Sequence, residues 1–95
     1  MKCTVQIAAG ALKEIRALPA DARKEVGIVI DKLGSDPRPV GARKIAAIPD
    51  CYRVRSGVYR IVYTVKDKVL SVSIVTVGHR SEVYRGLRDK IRRRT

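Results

Sequence analysis

Carboxylates are scarce in this chain, and histidine occurs once. Nine Asp and Glu stand against 21 Lys and Arg, a net charge of +12 over 95 residues. No cluster of acids is spaced for a two-metal nuclease. The single histidine, His79, excludes a paired-histidine ribonuclease. No glycine-rich phosphate loop opens a helix. Cys3 and Cys51, the two cysteines, lack metal-ligand spacing, and a cytosolic chain would keep them reduced. No apolar run approaches the roughly 18 residues of a membrane span. The chain begins on a strand-like stretch, so no signal peptide is expected and a cytoplasmic location is. Internal repeats and low-complexity tracts are also missing.

What is present is positive charge, unevenly spread. Residues 1–50 carry nine basic and six acidic side chains, a net +3, whereas residues 51–95 carry twelve and three, a net +9. That asymmetry points to a polyanion or an acidic partner. The length suits one small domain, residues 1–95.

Residues 2–7 alternate, with Cys3, Val5 and Ile7 on one side, and read as a half-buried strand. Ala8, Ala11, Leu12, Ile15 and Leu18 follow helical spacing until Pro19, which suits the first turn of a second helix. Ala22, Val26, Val29, Ile30 and Leu33 form that helix's stripe, with Gly34 as its expected cap. Residues 34–42 read as a loop, and residues 44–48 as an ambiguous, short extended piece. Residues 51–55 and 58–66 form a hairpin around Ser56-Gly57. This puts Arg53 opposite Arg60 and Val54 opposite Tyr59. Asp67-Lys68 turns into a last strand, 70–77, with Tyr63 opposite Val72 and Ile61 opposite Ile74. Tyr52, Val54, Tyr59, Ile61, Tyr63, Val72 and Ile74 then share a core face against Leu12, Ile15, Val26 and Ile30. Residues 82–94 read as a basic helix with Val83, Leu87 and Ile91 as its only apolar stripe, marginal alone.

In this register Arg53, Arg55 and Arg60 share the other face, and continued alternation puts His79 there too. Like charges directly opposed are destabilising, so an anion is expected between them, and phosphate fits the forked guanidinium. Arg80 joins this constellation, flanked by His79 and Tyr84. Two readings stay open on the residues alone: a nuclease-like phosphate site, or a basic face for an acidic protein. Cleavage without a metal needs an internal nucleophile, which the RNA 2′-OH supplies and DNA lacks. RNA is therefore favoured as the substrate. Tyr84 can stack on an unpaired base or anchor the last helix.

Several stretches, in order, resemble the RelE family of type II toxins in the RelE/ParE superfamily. They are Ala11-Leu12-Lys13-Glu14, Asp36-Pro37-Arg38, Pro49-Asp50-Cys51-Tyr52-Arg53-Val54-Arg55, Tyr59-Arg60-Ile61-Val62-Tyr63 and Val77-Gly78-His79-Arg80-Ser81-Glu82-Val83-Tyr84. The resemblance implies an α+β fold: an antiparallel-rich sheet of about four strands packed on an N-terminal helical hairpin, with a short basic C-terminal helix. It implies an mRNA interferase that cuts the codon in the ribosomal A site, free of metal and cofactor. The 2′-oxygen attacks the adjacent phosphate and the 5′-oxygen leaves. Implied partners are a RelB-like acidic antitoxin, the ribosome and mRNA, with operator DNA bound only in complex with the antitoxin, and no membrane.

Carried over by position, Arg53 and Arg55 match two basic residues that are lysines in the best-known member, the second its assigned general base. Arg60 matches an arginine that stabilises the phosphorane, Arg80 the presumed general acid, and Tyr84 a base-stacking tyrosine. Ala46 stands where that member has a substrate-contacting basic residue. A guanidinium, with a pKa above about 12, is a poor base near neutrality. Arg55 is therefore expected to clamp charge and His79 to be the better base candidate. The alternatives are a ParE-like DNA gyrase inhibitor and a non-catalytic nucleic-acid-binding module of the same fold.

Overall fold

A computed structural model describes residues 2–94, so Met1 and Thr95 lie outside the described residues. Strand β1 (Thr4–Ile7) leads into helices α1 (Ala9–Arg16) and α2 (Ala20–Ser35). Strands β2 (Arg43–Lys44), β3 (Cys51–Ser56), β4 (Tyr59–Lys66) and β5 (Ser71–His79) follow, and helix α3 (Leu87–Arg94) ends the described chain. The strands form one sheet in the order β1-β5-β4-β3-β2. β1 runs parallel to β5 and every other neighbour is antiparallel. The architecture is the expected α+β one, with five strands where about four were anticipated. The addition is β2, an edge strand of two residues. A pair of residues carries no alternation for a sequence to display. No helix among the described residues is long and apolar enough to cross a membrane.

The helical hairpin lies where the periodicity placed it. Pro19 sits at the N-cap of α2, and Asp21 occupies the first turn, where the helix dipole favours a carboxylate. α2 buries Val26, Ile30 and Leu33, spaced by four and three. Gly34 does not end the helix, which continues through Ser35. Its carbonyl instead accepts a hydrogen bond from the Cys3 amide at 2.6 Å, tying the helix end to the first strand. Against this hairpin the sheet buries Val54, Ile61, Tyr63, Val65, Val72, Ile74 and Val77. Tyr52 packs on that core half-buried, while Tyr59 and Leu12 stay at its margin.

Both hairpin registers differ from expectation, with different consequences. In the first, Ser56 pairs with Tyr59, Arg55 with Arg60, Val54 with Ile61 and Arg53 with Val62. The turn is Gly57-Val58, one residue beyond the expected Ser56-Gly57. Gly57 takes φ +61°, which a primed two-residue turn demands at its first central position. The slip moves each partner by two, so every side chain keeps its face and Arg53, Arg55 and Arg60 remain together.

The second hairpin turns through a 3₁₀ segment, Asp67–Val69, and a left-handed Leu70, so Lys66 pairs with Ser71. Tyr63 pairs with Ile74 but Val62 with Thr76, leaving Val75 as a β-bulge. One extra residue inverts the alternation beyond it. Val77 joins the helix-side core, and His79 pairs with Tyr59 while Arg60 faces Gly78. The expectation that His79 shares the Arg60 face is thereby corrected.

The opposite face carries its own apolar cluster. Cys51, Val62, Val83 and Leu87 are buried there, with Ile45, Ile48 and Ile91 packed around them. Helix α3 covers this patch. It begins at Leu87, later than the expected 82, because Gly86 takes a left-handed φ of +63° that no helix continues through. Its end is anchored as well. β1 stops at Ile7, so beyond Ile74 the edge of β5 has no strand partner. Glu14 Oε1 accepts from the Val77 amide at 3.2 Å and from Thr76 Oγ1 at 2.9 Å. Arg94 Nη1 donates to Glu14 Oε1 and to the Val75 carbonyl, both at 3.0 Å. The ion pair thus satisfies an edge that would otherwise lie open to another strand.

Candidate active site

The short β2 strand and the loop before it stand beside the Arg-rich hairpin, and the three form a cleft of about 370 Å³. Val40, Gly41, Arg43, Arg53, Arg55 and Arg60 line it, with part of Val54. Two arginine pairs are direct cross-strand neighbours: Arg43 with Arg53, and Arg55 with Arg60. Among the described residues, no carboxylate lines the cleft. Among the described residues the arginine–carboxylate ion pairs are Arg38–Asp67 and Arg94–Glu14, both elsewhere. Arg60 is the most restrained of the four. Its Nη1 donates to the Gly57 carbonyl at 3.1 Å and the Tyr59 carbonyl at 3.0 Å, and among the described residues Nε and Nη2 have no acceptor. Such a guanidinium is positioned without being neutralised.

The other candidates do not line this cleft. The Arg80 amide donates to the Val58 carbonyl at 2.8 Å, so Arg80 leaves the sheet beside the same turn that holds Arg60. His79 lines a different cleft, with Glu14, Ala17 and Glu82 among its neighbours, and meets the Tyr59 ring edge-on at 6.4 Å. Its Nδ1 accepts the Ser81 amide at 3.1 Å and lies 2.7 Å from Ser81 Oγ. In that arrangement Nε2 is the nitrogen left to meet a substrate. Tyr84 lies 40% exposed along a groove with Ile45, Ile48 and Leu87, so its ring is open to stacking. Ala46, after Ile45 in the segment between β2 and β3, is exposed. Among the described residues no group of three or more His, Cys, Asp or Glu stands together in the manner of a metal site.

Comparison with known proteins gives this arrangement its family. The family model described as the ParE toxin of type II toxin–antitoxin systems, parDE, matches residues 5–84. The mRNA interferase toxin RelE of Escherichia coli K12 is 40% identical over 78 residues, which are 78% of this chain and 81% of that protein. The chain is a RelE-family toxin of a type II toxin–antitoxin system. Solved RelE structures agree. A double arginine-to-alanine mutant of E. coli RelE in the free state superposes with a TM-score of 0.79 at 29% identity, over 98% of both chains. The archaeal RelE–RelB complex from Pyrococcus horikoshii OT3 contains a chain that matches with a TM-score of 0.76 at 26% identity, over 87% of this chain and 100% of that one.

Two residues of this RelE-family toxin escaped the sequence reading. Arg43 belongs to the cleft only because β2 exists, and a charged dipeptide before a loop gives no signal of it. Arg38 anchors the loop that leads into the cleft. It forks onto Asp67 at 3.0 and 2.8 Å, donates from Nε to the Tyr52 hydroxyl at 3.0 Å, and lies over the Tyr52 ring at 5.2 Å. Tyr52 stacks on Tyr63 at 5.9 Å, and the Tyr63 hydroxyl donates to the Pro37 carbonyl at 2.8 Å. This clasp fixes the start of the loop that carries Val40 and Gly41. Hydrogen bonds from Arg38 hold the Asp67 carboxyl below its usual pKa, and the same pairing keeps Arg38 firmly charged.

Proposed function

We propose that this RelE-family toxin is an mRNA interferase, an endoribonuclease that cuts the codon in the ribosomal A site and so halts translation. The observation that carries the reading is the cleft in which Arg53, Arg55 and Arg60 converge with no carboxylate to neutralise them. An uncompensated guanidinium array is suited to charge that grows on a phosphate during reaction. The attacking 2′-oxygen comes from the RNA itself, so the step requires no metal. It forms a bond to the adjacent phosphorus while the bond to the 5′-oxygen breaks.

Arg60 stabilises the phosphorane, because two backbone carbonyls hold its guanidinium in place before substrate arrives. Arg55 clamps the same phosphate, and Arg53 grips the backbone beside it. Arg80, beside the same turn, supports the leaving 5′-oxygen, and Tyr84 stacks on a base. His79 keeps Nε2 open but stands on the opposite face of the sheet and lines a different cleft, so its part as base is decided by the pH–rate test below. The sheet's basic face also suits a RelB-like acidic antitoxin. RelB accompanies RelE in the E. coli and P. horikoshii complexes. With the ribosome and mRNA as its targets, the toxin acts in the cytoplasm.

The test uses pure toxin, translating ribosomes and mapped mRNA ends. Arg60→Ala and Arg80→Ala are each expected to slow cleavage by about a hundred- to a thousandfold, the usual loss for one preorganised donor, with the fold intact. His79→Ala should lose the acidic limb of the pH–rate profile. Wild-type cleavage by both arginine variants would reduce the basic face to a docking surface. The matching family model is named for the ParE toxin, so the second reading is the ParE-like one, inhibition of DNA gyrase. Intact mRNA together with blocked gyrase would establish it.

A further inference from the structure

The cleft holds one arginine more than the proposed chemistry uses, and its position is regular. Arg43 and Arg53 are cross-strand partners on β2 and β3, and Arg55 and Arg60 are partners on β3 and β4. Partners across a ladder project side by side, about 5 Å apart at Cβ. Arg53 and Arg55 lie two residues apart on one strand, an advance of about 6.7 Å. The four guanidinia therefore stand as two opposed pairs, stepped along the sheet by a length comparable to one nucleotide of an extended strand. Arg43 is exposed, and its protein acceptor is the neighbouring Ala42 carbonyl at 3.3 Å. It braces no other element, and it stands directly against a like charge, which costs stability.

We propose that Arg43 and Arg53 form a second phosphate subsite, which grips the backbone phosphate next to the one held by Arg55 and Arg60. The ligand is a single-stranded polynucleotide backbone, bracketed by two forked donors at each step. Sequence is not read here, because phosphate contacts fix register and carry no base information. Placing this subsite beside the scissile phosphate rests on the RNA-cleaving reading. The binding itself does not.

The test measures binding of a short 2′-O-methyl RNA oligonucleotide, which has no free 2′-OH to react, by fluorescence anisotropy across a salt series. Each phosphate neutralised on a single strand contributes about −0.7 to the slope of log K against log salt. Arg43→Ala should flatten that slope by about 0.7 and weaken binding, while Arg43→Lys should keep the slope. Lys24→Ala, which removes an equal charge from exposed α2, should leave it unchanged. The thermal midpoint of Arg43→Ala should hold or rise, since a like-charge contact is relieved. An unchanged slope in Arg43→Ala overturns the subsite. So does weakened binding confined to a polyglutamate peptide, which would make Arg43 part of an acidic-protein surface. If the wild-type protein leaves mRNA on translating ribosomes intact while the Arg43 slope still falls, the nuclease reading fails and the subsite stands.

Discussion

Arginine rather than lysine at each cleft position has a physical consequence. A lysine facing another cation is pushed toward its neutral form, whereas a guanidinium keeps its charge. The opposed pair Arg55–Arg60 therefore retains both charges, at the expense of any proton transfer by either. Elsewhere the fold buries two acids in neutral form. Burial pushes the fully enclosed Cys51 thiol up to about 11 and the Tyr63 phenol up to about 12. Both values lie above those of the unfolded chain, near 8.5 for a thiol and 10 for a phenol. Each group thus stabilises the native state fully below its unfolded value and loses that contribution as pH climbs through the folded one. Stability measured in denaturant should begin to fall near pH 9 and keep falling to about 12. Tyr63→Phe should remove the upper part of that decline. A flat profile over the interval would show that neither proton is held by burial. Cys51 should also resist alkylation in native protein near pH 8, while half-buried Cys3 reacts first.

At the scale of the element, the faces were legible and the registers were not. Strand faces follow from apolar alternation, and a register slip of two leaves them unchanged, so Arg53, Arg55 and Arg60 stayed together although their partners differ. The Val75 bulge is different in kind. The run Val72, Ile74, Val75, Val77 is apolar at both parities, so nothing in it announces where the alternation breaks, and His79 changed sides. The start of α3 was hidden likewise, because Val83, Leu87 and Ile91 keep helical spacing across a left-handed Gly86. Val83 and Leu87 are buried nonetheless, so a segment read as marginal alone docks on the sheet. Leu87→Ala should cost about 2 kcal/mol or more, the lower end for a core leucine, and loosen α3 in hydrogen exchange. An unchanged unfolding midpoint would mean that α3 contributes nothing to the fold.

The Arg38–Asp67 clasp gives a further test at the same scale. A carboxyl held below its ordinary pKa stabilises the fold above the unfolded value, near 3.9, and loses that contribution as pH falls through the folded one. The pair is exposed, so its effect is modest and screened by salt. Asp67→Asn should lower the thermal midpoint by a constant small amount between about pH 5 and 8, and the difference should close as pH drops below about 4. A difference that persists in strong acid would locate the effect in packing and not in the ion pair.

At the scale of the molecule, charge acts as a field. The net +12 sits in a body of 35 × 26 × 24 Å. At about 0.01 M salt the screening length is near 30 Å, so the whole molecule draws an acidic antitoxin toward it. At about 0.15 M it is near 8 Å, and only charges close to the contact are felt. The association rate with an acidic antitoxin should therefore fall by at least about tenfold between those conditions, while dissociation changes far less. Distant and local charges then separate experimentally. Lys24→Glu, on exposed α2, should slow association at low salt and have no effect at physiological salt. A cleft arginine variant should slow association at both and speed dissociation as well. Stopped-flow mixing reads all of these rates. An association rate indifferent to salt would mean that the basic surface recognises its partner by contact alone, and that the charge asymmetry of this chain serves some purpose other than capture.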